Sequence, residues 1–208
     1  MDKQVDGKIA IVIGGGQRPG ETVGNGRAIS LLLAKNGAKV MVVDMFLDRA
    51  QDTVNMIKDL GEEAFAFEAN IVNEDDCKKI AQACVNKYGK IDILVNNAGI
   101  IPNTDTGIET TPVEVWDHVM NVNLRGPLLC CRYVLPVMVS QGSGSIVNIS
   151  SSSAFMCGPT PGKKGNIAYP VSKYALNFSE RNNRYSVRSR RNQSKYSSPR
   201  YYGYTNWH

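Results

Sequence analysis

Tyr169 and Lys173 stand four apart in the string YPVSK, downstream of a serine run, Ser150 to Ser153, that closes the apolar stretch IVNIS. A spacing of four puts both side chains on one face of a helix. An ammonium beside a phenol favours the phenolate and lowers its pKa from about 10 toward neutrality. Such a phenol can give and take a proton, which is what interconverting a carbonyl and an alcohol requires. Alone, the pair is a weak signal that usually marks an ordinary surface contact. Its weight comes from the motifs upstream.

The first of these is GGGQRPGETVGNGRA, residues 14–28, which follows an apolar run and opens a helical pattern. Glycines there let backbone approach a pyrophosphate, and a helix start supplies free N–H groups and the positive end of a dipole. A ligand-free glycine turn is the plain alternative. Asp44, eighteen residues after Gly26, ends the next apolar run and suits the hydroxyls of a ribose. Its charge would repel a 2′-phosphate, which favours NAD over NADP; a helix N-cap is the competing use. NNAG, Asn96 to Gly99, closes a further apolar run. Small residues there let backbone lie against a cofactor, and the asparagines can tie neighbouring strand ends; an ordinary Asn-Gly turn is the alternative. Asn123 falls inside a helical pattern, where asparagine is mildly unfavourable and reads by itself as exposed and idle. Ser151 is a candidate donor to a substrate carbonyl, or part of a solvated loop.

The elements that must position these residues alternate. Strands are expected at 8–13, 39–44, 63–69, 91–95 and 145–150, with helices at 26–36, 48–60, 74–88, 113–139 and from Tyr169 onward. Gly126, Pro127 and Pro136 should bend or break the long helix, and Pro170 suits a first turn. Strand–helix alternation implies a doubly wound parallel sheet, a Rossmann-like three-layer α/β/α fold with right-handed crossovers. Ligands of such sheets bind beyond the carboxyl ends of the strands. Gly14, Asp44, Asn97, Ser151 and Tyr169 all fall at or just after strand ends.

With these motifs in order, the chain resembles the short-chain dehydrogenase/reductase family over about residues 6–178. Gly14, Gly24 and Gly26 match the family's TGxxxGxG loop, and Asn96 to Gly99 its NNAG. Asn123, Ser151, Tyr169 and Lys173 match its catalytic set. The resemblance implies an oxidoreductase moving a hydride between NAD(H) and a secondary alcohol or ketone. Tyr169 would be the general acid/base, Lys173 would tune it and hold the nicotinamide ribose, Ser151 would polarise the carbonyl, and Asn123 would hold a relay water. Cofactor contacts are implied for Gly14, Gly24, Asn25, Gly26, Asp44, Asn70, Ile71, Asn97, Ala98, Gly99, Tyr169 and Lys173. The departures are Ile13 for the family's threonine, a longer segment between Gly14 and Gly24, Asn70 where an acid is common, and an insertion through CGPTPGKKGN before Tyr169.

Composition bounds the rest. No stretch of eighteen apolar residues spans a membrane, and the amino-terminal MDKQVDGKIAIVIGGG lacks a secretory pattern. Five cysteines without a CxxC pair suit reduced thiols and a cytoplasmic location, with Cys130 and Cys131 as small packing residues. With only His118 and His208, no histidine metal site or histidine triad is expected. Residues 1–178 carry 17 basic and 18 acidic residues, whereas 179–208 carry seven basic residues and one acid. The body thus has no electrostatic footprint for nucleic acid, which the basic tail alone could touch.

That tail has one aliphatic residue, Val187, and cannot bury enough surface to order itself. The resemblance calls here for further strands and a substrate lobe, which are missing or replaced. A reading-frame slip near Phe178 would explain it. Read one base forward, a back-translated Gln193 to Thr205 permits Arg-Val-Asn-Ile-Val-Ala-Pro-Gly-Ile-Met-Asp-Thr, which resembles the family's RVNxxxPGxxxT. The family's homo-oligomer is then in doubt for this chain, and a non-catalytic dinucleotide-binding remnant is the alternative to an enzyme.

Overall fold

The computed structural model describes residues 3–18, 20, 22–155 and 165–177. Five parallel strands form its sheet: β1 (Ile9–Ile13), β2 (Lys39–Asp44), β3 (Ala64–Glu68), β4 (Ile93–Asn96) and β5 (Ser145–Asn148). Their order is β3-β2-β1-β4-β5. The chain winds outward from β1 to β3, then crosses back to lay β4 against the other side of β1. That reversal opens a crevice between β1 and β4. The register aligns Ile13 with Val43 and Asn96, and Asn96 with Asn148. The loops after β1, β2, β4 and β5 therefore leave one common edge.

The strands are apolar on both faces, as parallel strands between helices must be. Ile9, Ile11, Ile13, Met41, Val43 and Leu94 pack against α3 (Glu74–Tyr88) and α5 (Gly126–Gln141). Ala10, Val12, Val40 and Val42 pack against α1 (Asn25–Lys35) and α2 (Leu47–Asp59). Cys77, Cys84, Cys130 and Cys131 are buried free thiols that fill the first of these layers. Burial pushes Cys84 up to about 12 and Cys131 up to about 11. Cys130 and Cys131 are thus the packing residues their setting predicts.

The long helical stretch departs from expectation. Instead of breaking at Gly126 or Pro136, α4 (Val113–Met120) continues through a π-helical turn, Asn121–Arg125, directly into α5. Pro127 occupies the first turn of α5, and Pro136 lies within it without ending it. A last helix, α6, covers 168–177 and has Pro170 in its first turn.

β5 is the outer strand among the described residues, and it is exposed or half-buried throughout. Beside it, a groove of about 610 Å³ lies between α1 and the β4–β5 pair, bordered by Ile29, Leu33, Ile93, Val95, Val147 and Ile149. The basic tail and the frame-slip reading lie outside the described residues, as does most of the insertion before Tyr169.

Candidate active site

The phosphate loop uses its three motif glycines in three ways. Gly14 leaves β1 at φ 71°, a left-handed turn, and a side chain there would meet Ala98 Cα at 2.8 Å. A side chain on Gly26 would run into the Gly14 carbonyl, so Gly26 lets α1 close against β1. At Gly24 a side chain would meet nothing nearer than Gln17 at 3.7 Å, which leaves that stretch of backbone approachable. Helix α1 starts at Asn25 with no side-chain cap and no acid in its first turn. Its amino-terminal N–H groups are therefore available to an anion. The longer segment before Gly24 closes on itself: Gln17 Oε1 accepts from Gly24 N at 2.8 Å, and its Nε2 donates to the Thr22 carbonyl at 3.0 Å. Thr53 of α2 donates to the Gly15 carbonyl at 3.0 Å and receives Arg27 Nε at 3.0 Å, pinning the loop from the side.

Asp44 ends β2 beside this loop. A side chain on Gly16 would meet its Oδ2 at 2.7 Å, and its Oδ1 accepts from Phe46 N at 3.2 Å. Phe46, not Asp44, is the N-cap of α2, so the helix-cap alternative falls away. Asn70 turns its Oδ1 to Val72 N at 3.1 Å and stays exposed. Ile71 sends its side chain into the core against Gly126, and its carbonyl accepts from the Cys77 thiol at 3.4 Å.

At the end of β4 the asparagines tie strand ends together, as expected. Asn96 donates to Asn148 Oδ1 at 2.8 Å, and Asn97 donates to the Gly14 carbonyl at 2.8 Å. Gly99 sits over the catalytic candidates: a side chain there would meet Lys173 Nζ at 3.2 Å and Asn123 Oδ1 at 3.4 Å. Asn123 is fully buried in the π turn and far from idle. It accepts from Ile100 N at 2.8 Å and donates to the Ile100 carbonyl at 2.9 Å and to Ser172 Oγ at 3.1 Å.

Lys173 is 4% exposed, donates to the Ile149 carbonyl at 2.8 Å, and holds its ammonium 5.8 Å from the centre of the Tyr169 ring. Burial lowers its pKa from the usual lysine value, because desolvation disfavours the charged form. Ser150 Oγ reaches the Lys173 carbonyl at 3.4 Å. Ser151 caps a short 3₁₀ turn, Ser152–Ala154, and its hydroxyl bonds to Ser153 Oγ at 3.2 Å. The structure thus brings Gly99, Asn123, Tyr169 and Lys173 together, while Ser151 lies beyond the end of β5, its neighbour Ser150 reaching α6.

Two residues of this cluster were missed from the sequence. Ser172 accepts from Asn123 and donates to the Tyr169 carbonyl at 2.7 Å. Asp105, 2% exposed in the loop after β4, accepts from the backbone N–H groups of Ile167, Ala168 and Tyr169. A serine inside YPVSK could have been noticed by its position on the helix. Asp105 carries no local signal, since its partners lie more than sixty residues on.

A family model described as short chain dehydrogenase matches residues 8–188. The chain belongs to this family. It is 38% identical over 159 residues to the 2-(R)-hydroxypropyl-CoM dehydrogenase of Xanthobacter autotrophicus, covering 76% of this chain and 62% of that one. It also superposes on a 7 alpha-hydroxysteroid dehydrogenase complexed with NADH and 7-oxo glycochenodeoxycholic acid, with TM-score 0.78 and 31% identity, covering 90% of this chain and 68% of that one. A metagenomic short-chain oxidoreductase in complex with NADP gives TM-score 0.77 and 28% identity, covering 89% and 78% of the two chains. The chain spans 57% to 62% of the length of three curated relatives that it matches. Among the described residues no helix is long and apolar enough to cross a membrane.

Proposed function

We propose that this chain is an NAD(H)-dependent oxidoreductase for a secondary alcohol or ketone, working through Asn123, Ser151, Tyr169 and Lys173. The observation that carries the reading is the buried Lys173 ammonium, held beside the Tyr169 ring at the crevice edge and facing Gly99. The cradle fits a dinucleotide: Gly14, Gly24, Asn25 and Gly26 would hold the pyrophosphate, Asp44 the adenosine ribose, Asn70 and Ile71 the adenine end, and Asn97, Ala98 and Gly99 the nicotinamide half. Asp44 favours NAD, because its carboxylate repels a 2′-phosphate. Once bound, the cofactor accepts or returns the hydride.

The chain's own residues move the proton. Tyr169 takes it from the alcohol, or gives it to the forming alkoxide. Lys173 stabilises the phenolate and offers its ammonium to the ribose. Ser151 donates to the substrate oxygen after releasing Ser153. The Asn123 side chain is fully used on Ile100 and Ser172, so a relay water would sit on its main-chain carbonyl.

A second reading is a dinucleotide-binding remnant without turnover. The exposed or half-buried edge strand β5 favours it. Two measurements decide. NADH fluorescence titration tests the cradle. Hydride transfer across an alcohol panel tests catalysis, with Tyr169→Phe expected to lower turnover by a factor of about 10² to 10⁴ while leaving NADH affinity unchanged. Binding without turnover selects the remnant, and the absence of binding defeats both.

The same proposal takes residues 1–178 as the catalytic unit and 179–208 as a basic tail, of which residues 189–208 lie beyond the family match. Sequencing the gene around codon 178 tests it. Buried free thiols support a cytoplasmic location.

A further inference from the structure

We propose that Asp105 is a positioning residue for Tyr169, a carboxylate that closes the start of the catalytic helix from across the fold. This rests on the reading of Tyr169 as the acid/base. The first N–H groups of any helix have no intrahelical partner. They are commonly met by a serine, threonine, aspartate or asparagine just ahead of the helix. Here the residue ahead of α6 is Ile167, which offers no side-chain acceptor. Asp105 takes that place from the loop after β4. Its Oδ1 accepts from Ile167 N at 2.9 Å and Ala168 N at 3.0 Å, and its Oδ2 from Tyr169 N at 2.8 Å. An ionised carboxylate has acceptors only, so three converging donors suit its buried setting.

The geometry holds Tyr169 at both ends of its own backbone. Asp105 binds its N–H, and Ser172 Oγ binds its carbonyl at 2.7 Å. Ser172 in turn receives Asn123, whose side chain is paired with Ile100. One loop therefore carries Asn97 onto Gly14, Ile100 onto Asn123 and Asp105 onto Tyr169. It couples the cofactor cradle to the proton donor through direct hydrogen bonds. Small displacements of a reacting group cost rate steeply, so such an anchor acts on turnover rather than on dinucleotide binding.

Asp105→Asn in the full chain separates this role from mere folding. The amide keeps the shape and can still accept from Ile167 and Ala168, but it turns an NH₂ toward Tyr169 N–H. Exchange of the Tyr169 amide hydrogen, read by NMR, should quicken about tenfold in the variant while the amides of β1 keep their rates. Turnover should fall about tenfold, with the NADH dissociation constant within about twofold. Unchanged exchange at Tyr169, or unchanged turnover per folded molecule, overturns the proposal. If the wild type fails to oxidise any alcohol, the functional reading falls while the exchange rates still decide the role of Asp105. Should the variant not fold, the wild type serves: the amides of Ile167, Ala168 and Tyr169 must exchange at one common protected rate, and independent behaviour overturns the proposal.

Discussion

Helices α1 and α6 begin in opposite ways. Both present amino-terminal N–H groups at the same edge of the sheet, and both follow glycine-bearing loops. Helix α1 has neither a capping side chain nor an acid in its first turn, whereas α6 is sealed by a buried carboxylate brought from another loop. The more peripheral α3 is closed locally, by Asn73 accepting from Asp75 N at 2.9 Å, with Glu74, Asp75 and Asp76 beside it. A free helix start has an energetic cost, since a good cap contributes about 1 kcal/mol. Helices α2 and α4 also lack a side-chain cap but have Asp48 and Glu114 in their first turns; α1 has neither, which suits a helix whose missing partner is an external anion. Sealing α6 suits the proposed role of Tyr169, which needs its backbone held still.

Gly26→Ala should break this contrast most severely. Its new methyl would meet the Gly14 carbonyl, which is backbone and cannot swing aside. Helix α1 must then lift from β1, at a cost of about 1–3 kcal/mol in stability, and the anion site disperses. NADH titration should show binding lost, and circular dichroism should show the sheet retained. Tight binding in this variant would mean that the approach of α1 to β1 does not make the site. A subtler change, Asn25→Asp, sharpens the contrast by giving α1 the acid that α3 already has. A carboxylate there should stabilise the helix by about 0.3–1 kcal/mol. It should also weaken NADH binding about tenfold, by repulsion of the pyrophosphate. A rise in melting temperature with a fall in affinity is the expected pair of results. Unchanged affinity would place the pyrophosphate elsewhere.

How much of this was legible in the sequence follows the range of each interaction. The loop from Gly14 to Gly26 announces itself because strand, turn and helix are consecutive, with Gly26 closing on the Gly14 carbonyl and Gly14 on Ala98 just after β4. Tyr169 and Lys173 were legible because four residues are one helical turn. The π turn was not: Gly126 and Pro127 signalled a break, but tertiary packing of Ile71 into the space above Gly126 keeps the helix running. The burial of Asn123 was hidden for the same reason, since its partners Ile100 and Ser172 come from two other segments. Asp105 lay furthest out of reach. Its side chain caps a helix more than sixty residues away, and no local pattern encodes that.

The smallest expected effect concerns the cost of the sealed helix's lysine. Lys173 is almost wholly buried, and desolvation lowers its pKa in the folded chain below the usual 10.5. Between that lowered value and 10.5, the unfolded chain binds more of this proton than the folded one, so stability rises with pH across the window. Below the lowered value the full desolvation penalty is present and the contribution is flat. The stabilising contribution is complete above 10.5 and is lost as pH falls through the folded value. Other groups oppose it: burial raises the pKa of Cys84 and of Tyr88, so both lose stability as they ionise in alkali. The wild type alone would therefore mix the two trends, and the measurement is a difference. Denaturant midpoints of wild type minus Lys173→Met, from pH 7 to 10.5, should rise with pH at no more than about 1.4 kcal/mol per unit. A flat difference would mean that the ammonium is already compensated by the Ile149 carbonyl, and that α6 carries Lys173 at no cost to the fold.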